Sequence, residues 1–309
     1  MENLAIIDLG SNSVRMAVTA ISPDGSFKEI RRVKENARLS EGMGKEKMLT
    51  PRAMDRTIAA ISRFRSKYED IPNVSVHAIA TAAVRQAKNK QEFIQRVQKK
   101  TGVKVHVLSG RQEAYYDYLG VMRTLKMRHC LILDVGGASC EMVLVQRGQA
   151  RDLISLPVGA VNISERYHLG GYVRSADLFR AQVAFNNRLT KIPWLHYANH
   201  APIVLLGGAN RTLARMSRSY HHSHGGIHGY HLTARVVFAT YRELLNRNLS
   251  QRKRMPGLEA DRADIIVGGM LPLVCLLQRT SDGRVIFSES GVREGIISEY
   301  VAKRGRVHE

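Results

Sequence analysis

Two short clusters of a carboxylate, a glycine and a serine stand near the start of each half of the chain. Asp8-Leu9-Gly10-Ser11-Asn12-Ser13-Val14-Arg15-Met16 aligns without gaps with Asp134-Val135-Gly136-Gly137-Ala138-Ser139-Cys140-Glu141-Met142, and both read Asp-x-Gly-x-x-Ser-x-x-Met. Each copy ends an apolar run in a carboxylate, turns on glycine, presents a serine and enters a second apolar run. Glycine lets a ligand approach the main chain, and clustered backbone N–H groups form an anion nest to which a hydroxyl adds a further donor. A carboxylate at the mouth of such a nest suits a hard divalent cation that accompanies a phosphate. One copy alone would be an ordinary turn between strands. Two in register point to related lobes facing each other across a phosphate-holding cleft.

The same reasoning assigns the remaining candidates. Ser11, Asn12, Ser13, Gly136, Gly137, Ala138 and Ser139 are expected to bind phosphate, and Asp8 and Asp134 to hold a metal ion, with turn capping as the alternative for either aspartate. Arg85 follows the small-residue turn Ala80-Thr81-Ala82-Ala83-Val84, where a guanidinium can fork onto two phosphate oxygens. Glu113 follows a strand and opens a helix, so it is a candidate base, the alternative being a capping-box glutamate. Glu141 either orients water or metal beside the second loop or points to solvent. Gly207 and Gly208 precede a helix whose N-terminus can hold an anion. His221, His222, His224, His228 and His231 crowd into eleven residues, but no cysteine or carboxylate lies among them, so a solvent loop is preferred to a zinc site. Arg247, Arg252, Lys253 and Arg254 read as a solvated helix end, or as a trail for a long polyanion if the cleft reaches them.

The elements that must position these residues follow from periodicity. Strands are expected at 4–8, 14–21 and 27–33, so the chain opens as a meander. Thr50 caps a helix with Pro51 at its first position and Met54, Ile58, Ile61 and Phe64 at helical spacing. A strand at 74–80, a helix at 90–101 and a strand at 103–108 follow, giving the order β-β-β-α-β-α-β-α. The pattern then restarts with strands at 131–134, 141–146 and 151–156. Helices are expected at 175–190, 210–219, 233–247 and 260–278, with a strand at 203–206 and a final helix at 291–303.

Length and composition set the frame. The 309 residues suit two globular domains. The chain carries 47 basic and 27 acidic side chains, a net charge of +20 divided as +9 over 1–124 and +11 over 125–309, so both halves would attract a polyanion. Aromatic residues are 6%, and no helix-turn-helix, zinc-finger spacing or aromatic RNA-binding motif supports a nucleic-acid reader. The longest apolar run, 270–277, is far short of the ~20 residues of a membrane span. The first residues have no basic head and do not resemble a signal peptide. Cys130, Cys140 and Cys275 are odd in number and lie in apolar stretches, as reduced core thiols of a cytoplasmic protein would.

Seven blocks in order then carry a resemblance. They are Ile7 to Ser13, Ala80 to Asn89, Ser109 to Ala114, Leu133 to Ser139, Leu206 to Ala214, Arg262 to Gly269 and Ser290 to Gly295. On these the chain resembles the exopolyphosphatase and guanosine pentaphosphate phosphohydrolase (Ppx/GppA) family of the actin, Hsp70 and sugar-kinase superfamily, in a short two-domain form. The resemblance implies an α/β fold of two ribonuclease H-like (actin-like ATPase) domains, with mixed sheets flanked by helices and the active site in the interdomain cleft. Domains are expected at 1–124 and 125–292, with a C-terminal helix at about 293–309 packing back on the first. Glu113 stands where the family has its catalytic glutamate, and Gln112 where an acidic residue is common. The family's second loop is usually Gly-Gly-Gly-Ser-Thr-Glu, whereas here it runs from Gly136 to Glu141 with Ala138 and Cys140 in place of a glycine and a hydroxyl. Ala138 therefore requires either a negative φ or a reshaped loop.

The implied activity is magnesium-dependent release of terminal orthophosphate from inorganic polyphosphate, with Glu113 and Glu141 as catalytic candidates. Guanosine pentaphosphate is the alternative substrate. An ATP-dependent kinase of the same superfamily and a basic nucleic-acid-binding protein rank behind both. Neither a membrane nor a specific nucleic acid is expected as a partner, and a homodimer is compatible with the reading.

Overall fold

Apolar side chains at four consecutive positions, Leu4 to Ile7, bury strand β1 (Glu2–Leu9) on both faces, which marks it as a central strand. It pairs antiparallel with β2 (Val14–Ile21) and parallel with β4 (Val74–Ala80). Strand β3 (Phe27–Glu35) lies at one edge and β5 (Val105–Val107) at the other, so the sheet order is β3-β2-β1-β4-β5. Ala5, Ile7 and Leu9 meet helices α1 (Pro51–Arg65), α2 (Ala82–Gln86) and α3 (Lys90–Thr101) through Met54, Ile61, Phe64, Val84, Phe93 and Val97. Thr50 caps α1 by accepting from the Ala53 amide at 3.3 Å, with Pro51 at the first position as its spacing requires. The opposite face meets the end of helix α11 (Val292–Gly305): the Tyr300 ring lies edge-on to His77, and its hydroxyl donates to Glu2 Oε1 at 2.5 Å.

The second sheet repeats the first. Strand β6 (His129–Val135) pairs antiparallel with β7 (Cys140–Gln146) and parallel with β9 (Ile203–Gly207), and β8 (Gln149–Leu156), β11 (Arg284–Phe287) and β10 (His231–Thr233) complete the order β8-β7-β6-β9-β11-β10. Strand β6 occupies the place of β1, so the sequence duplication is a duplication of topology. One face of this sheet packs on helix α4 (Gly110–Leu125) through Ala114 and Val121. The other carries α6 (Ser175–Leu189), α7 (Gly208–Tyr220), α8 (Ala234–Leu245) and α10 (Ile266–Leu277). Two short helices, α5 (Ala160–Arg166) and α9 (Leu249–Arg252), and two 3-10 turns, Pro193–Ala198 and Ala260–Arg262, complete the elements. Each sheet, flanked by helices on both faces, has the mixed ribonuclease H-like order of the actin-like class.

The computed structural model describes residues 2–305. They form two units, one comprising the residues up to Glu113 together with those from Ile297, the other Ala114–Ile296. The division precedes the expected 124/125 boundary because the buried face of α4 belongs to the core around Ile132, Val143 and Val204. Positions 306–309 of the expected terminal helix lie outside the described residues. Among the described residues no helix is long and apolar enough to cross a membrane.

Several expectations change. The helix expected over 260–278 is a 3-10 turn followed by α10, and α2, α5, α9, β10 and β11 were not anticipated. The 247–254 segment is not a solvated helix end: Lys253 and Arg254 are exposed, but Arg252 is fully buried. Its Nε donates to Arg247 O at 3.2 Å, Nη1 to Leu169 O at 3.3 Å and Ala263 O at 3.0 Å, and Nη2 to Gly170 O at 3.2 Å and to Gly171 O. A guanidinium can be buried when its donors all find acceptors, and here backbone carbonyls supply them. Buried and bonded to five backbone carbonyls, Arg252 does not extend a surface trail for a polyanion.

The cysteines are free and buried. Burial pushes the Cys130 and Cys275 thiols up to about 12, and burial together with the Glu141 and Asp134 carboxylates pushes Cys140 well above its ordinary value. Since the thiolate is the reactive species, iodoacetamide at pH 8 should leave all three unmodified in the native protein and label all three after unfolding, as read by intact mass. Rapid labelling of any one in the folded state would contradict this assignment.

Candidate active site

In the first unit, β1, β4 and β5 are parallel and end on one edge at Leu9, Ala80 and Val107. The loops that follow these carboxyl ends carry Ser11 to Ser13, Arg85 and Glu113, the edge at which open α/β sheets bind ligands. Backbone bonds tie the loops together: Thr81 N donates to Leu9 O at 3.5 Å and Leu108 N to Ala80 O at 2.9 Å. Asp8 is the penultimate residue of β1, in register with Arg15 and Ile79.

The 10–13 loop owes its shape to close approach rather than to an unusual φ. Gly10 N donates to Ser13 O at 3.1 Å, and a Cβ at Gly10 would stand 2.9 Å from that oxygen. Ser11 O accepts from Ser40 N and Asn12 O from Arg38 N, each at 2.9 Å. In a planar trans peptide the N–H points opposite the C=O, so these bonds turn the Asn12 and Ser13 amides away from the 38–40 segment. Ser13 Oγ donates to Asn36 Oδ1 at 2.8 Å, which leaves its oxygen lone pairs rather than its proton for other contacts.

Arg85 and Glu113 meet directly. Arg85 Nη1 donates to Glu113 Oε2 at 2.7 Å and to Leu108 O at 3.0 Å, and Glu113 is only 7% exposed. Glu113 is therefore more than a helix cap, a part played at this start by Ser109 and Gln112, which exchange side chain-to-amide bonds at 2.9 and 3.2 Å.

In the second unit the parallel strands β6, β9 and β11 also end on one edge, followed by 136–139, 207–210 and 288–291. Asp134 faces Glu141 across the β6–β7 ladder. Glu141 is buried and its Oε1 accepts from Ser155 Oγ at 2.6 Å, so it does not point to solvent. The 136–139 loop repeats the first, with Gly136 N donating to Ser139 O at 3.0 Å. Ala138 keeps out of the left-handed region, so the loop accepts its methyl without strain. Cys140 takes the position of Val14 as a buried apolar residue.

Helix α5 fixes the direction of this loop. Ala160 N donates to Gly136 O at 2.9 Å, Val161 N to Gly137 O at 2.8 Å and Asn162 Nδ2 to Ala138 O at 3.3 Å. With those carbonyls held by α5, the amides of Gly137, Ala138 and Ser139 point away from it, forming a nest of three donors. Gly159 lies so close that a Cβ would stand 2.6 Å from Gly136 O.

Gly207 has φ +87°, and a Cβ there would overlap Asp134 Oδ1 and Val135 O. A Cβ at Gly208 would overlap the Arg262 guanidinium. The glycine pair thus brings the N-terminus of α7 against Asp134 and under a buried arginine. Sequence reasoning gave Arg262 no role, although the residue opens one of the seven blocks of the resemblance. Asn210, fully buried, donates to Leu206 O at 2.6 Å and steadies the turn. All five clustered histidines are exposed, and His228 Nδ1 accepts from Glu289 N at 3.3 Å.

In each unit a loop of inward-turned amides follows a strand-end aspartate, and in the first a buried glutamate is held by arginine, an arrangement suited to phosphoanhydride chemistry. The Ppx/GppA phosphatase family model matches residues 18–304, and the chain belongs to that family. An exopolyphosphatase from Cytophaga hutchinsonii is similar at 24% identity and a TM-score of 0.89, and the Aquifex aeolicus member of the Ppx/GppA family at 29% identity and a TM-score of 0.78. In both cases 98% of each chain is covered. Family membership sets aside the kinase and nucleic-acid-binding alternatives.

Proposed function

We propose that the protein is a cytoplasmic exopolyphosphatase: water attacks the terminal phosphorus of inorganic polyphosphate, the bridging P–O bond breaks, and orthophosphate leaves a chain one unit shorter. The observation that carries the reading is the gathering, on one sheet edge, of the 10–13 nest, Arg85 and the buried Glu113. Glu113 accepts the proton of the attacking water as the new P–O bond forms. In the first unit the amides of 12–13 and Arg85, and in the second the amides of 137–139 and Arg262, are the groups suited to bind phosphate oxygens and spread their charge. The leaving oxygen departs as a phosphate of low basicity and needs no acid of its own.

A divalent cation fits the donor set in one particular way. Asp134 and Glu141 offer hard oxygen ligands side by side, yet among the described residues no three His, Cys, Asp or Glu side chains gather into a complete cage. Magnesium, which binds through one or two carboxylates plus waters and substrate phosphates, suits such a site. Asp134 would hold it, Glu141 would orient that shell, and the ion would neutralise developing phosphate charge.

Polyphosphate is preferred to guanosine pentaphosphate because a net charge of +20 rewards a long polyanion and no aromatic residue lies in 206–214 to stack a base. Orthophosphate release from polyphosphate, guanosine pentaphosphate and ATP, assayed in parallel with and without magnesium, tests this. The highest kcat/KM should fall to long polyphosphate and decline steeply with monovalent salt, by analogy with counterion release from nucleic acids. A higher kcat/KM for guanosine pentaphosphate at physiological salt would overturn the substrate and leave the reaction class standing.

A further inference from the structure

The segment between α9 and α10 runs antiparallel along α7 and touches it a turn at a time. Gly257, at φ +78°, lies against Arg215 and Met216, where a Cβ would stand 2.6 Å from the Arg215 carbonyl. Glu259 comes next: its Oε2 accepts from Thr212 Oγ1 at 2.7 Å, its Oε1 accepts from Arg215, and the same oxygen stands 3.8 Å from Arg262 Nε. Arg262 itself, 6% exposed, ends the run with its guanidinium over Gly208, the first residue of α7. The segment is anchored at both ends by the buried Arg252, whose guanidinium binds Ala263 O, next to Arg262, and the 169–171 carbonyls. Gly170 in turn packs on Asp264, a Cβ there being 3.1 Å from Asp264 O.

We propose that Glu259 and Arg252 are positioning residues, which act through Arg262 to hold its guanidinium over the α7 N-terminus for the substrate's phosphates. This rests on the reading of Arg262 as a phosphate-binding group. A long arginine side chain loses rotamer freedom when it binds. Holding it beforehand lowers that cost and tightens binding, so KM, rather than the rate of the chemical step, should respond. Electrostatics fit the arrangement. Burial opposes ionisation of Glu259, but Arg215, Thr212 and Arg262 outweigh it and keep the carboxyl below its ordinary range. Burial likewise lowers Arg262, against the opposing pull of Glu259 and Asp261. Arg211 and Arg215 press on Arg262 with like charge, and the Glu259 carboxylate is what lets the arginines lie together.

The test is a double-mutant cycle on KM for polyphosphate, run in parallel with guanosine pentaphosphate so that an error in substrate is not mistaken for an error here. Glu259→Gln keeps an acceptor for Thr212 but removes the charge. It should raise KM about tenfold, a typical coupling between neighbours, with kcat within about twofold of the parent. Arg262→Ala should raise KM at least as much, and the double variant should match Arg262→Ala alone. Arg252→Lys, which keeps the charge but cannot span the five carbonyls, should raise KM in the same sense. A merely structural role would reduce the fraction of folded enzyme, lowering apparent kcat while leaving KM unchanged. An unaltered KM in Glu259→Gln, or a full tenfold rise on adding it to Arg262→Ala, overturns the proposal alone. An unaltered KM for both substrates in Arg262→Ala overturns the reading of Arg262, and the proposal with it.

Discussion

Glu113→Gln should lower kcat for orthophosphate release by about 10²–10⁴-fold, the usual worth of general-base assistance, and leave polyphosphate affinity near that of the parent. The geometry makes the variant selective. Arg85 Nη1 sits 2.7 Å from Glu113 Oε2 and also donates to Leu108 O. A glutamine oxygen can accept the same bond, so the guanidinium keeps its place while the capacity to take a proton is lost. Glu113 is buried at the first turn of α4, and an isosteric amide neither opens a cavity nor buries a new charge. Single-turnover release measured beside equilibrium binding separates the two effects. Parent-like turnover in a folded Glu113→Gln protein removes Glu113 from the reaction. A matched loss of binding and rate would instead assign the residue to Arg85's support.

Where local chemistry decides, the sequence was sufficient. Thr50-Pro51 announces the start of α1, the alternation in 74–80 gives β4 at its observed bounds, and the spacing of Phe93, Ile94 and Val97 gives α3. The duplicated Asp-x-Gly-x-x-Ser motif was legible because a strand end and a tight turn are local events, and it matches the two strand-turn-strand units closed by Gly10 N to Ser13 O and Gly136 N to Ser139 O. What escaped depends on partners distant in sequence. Helix α5 spans seven residues, starts at a glycine without a capping side chain, and exists to bind the 136–138 carbonyls. The run 260–278 looks like one helix because its apolar residues keep helical spacing. Its break at 263–265 follows from Arg252, which takes the Ala263 carbonyl that an unbroken helix would give to residue 267. Arg252 itself, between Gln251 and Lys253, resembles any solvated helix end, since its five acceptors come mostly from residues that the local sequence does not reveal. Arg262 was missed for a related reason: only folding sets it over Gly208. Ala138 shows the converse, because the loop's negative φ makes tolerable a residue that composition alone renders suspect.

Asp134→Asn should lower activity by two to three orders of magnitude, about the several kcal/mol that a bound divalent ion contributes to phosphoryl transfer, and added magnesium should restore part of it. Asparagine has nearly the shape of aspartate, so it fits beside Gly207, where even a Cβ would overlap Asp134 Oδ1. The β6–β7 ladder with Glu141 should also survive, since it is made by the backbone. The change is then one of charge at the mouth of the 136–139 nest. If that charge holds the proposed ion, the half-saturating magnesium concentration rises, kcat at saturating magnesium recovers toward the parent, and the melting temperature stays near the parent's. If the aspartate served only to cap its turn, the melting temperature would fall and magnesium would restore nothing. Chelation of the parent enzyme completes the argument: activity should vanish with the ion and return on its addition. Full turnover after exhaustive chelation would refute the metal site and require a hydrolysis that proceeds without an ion.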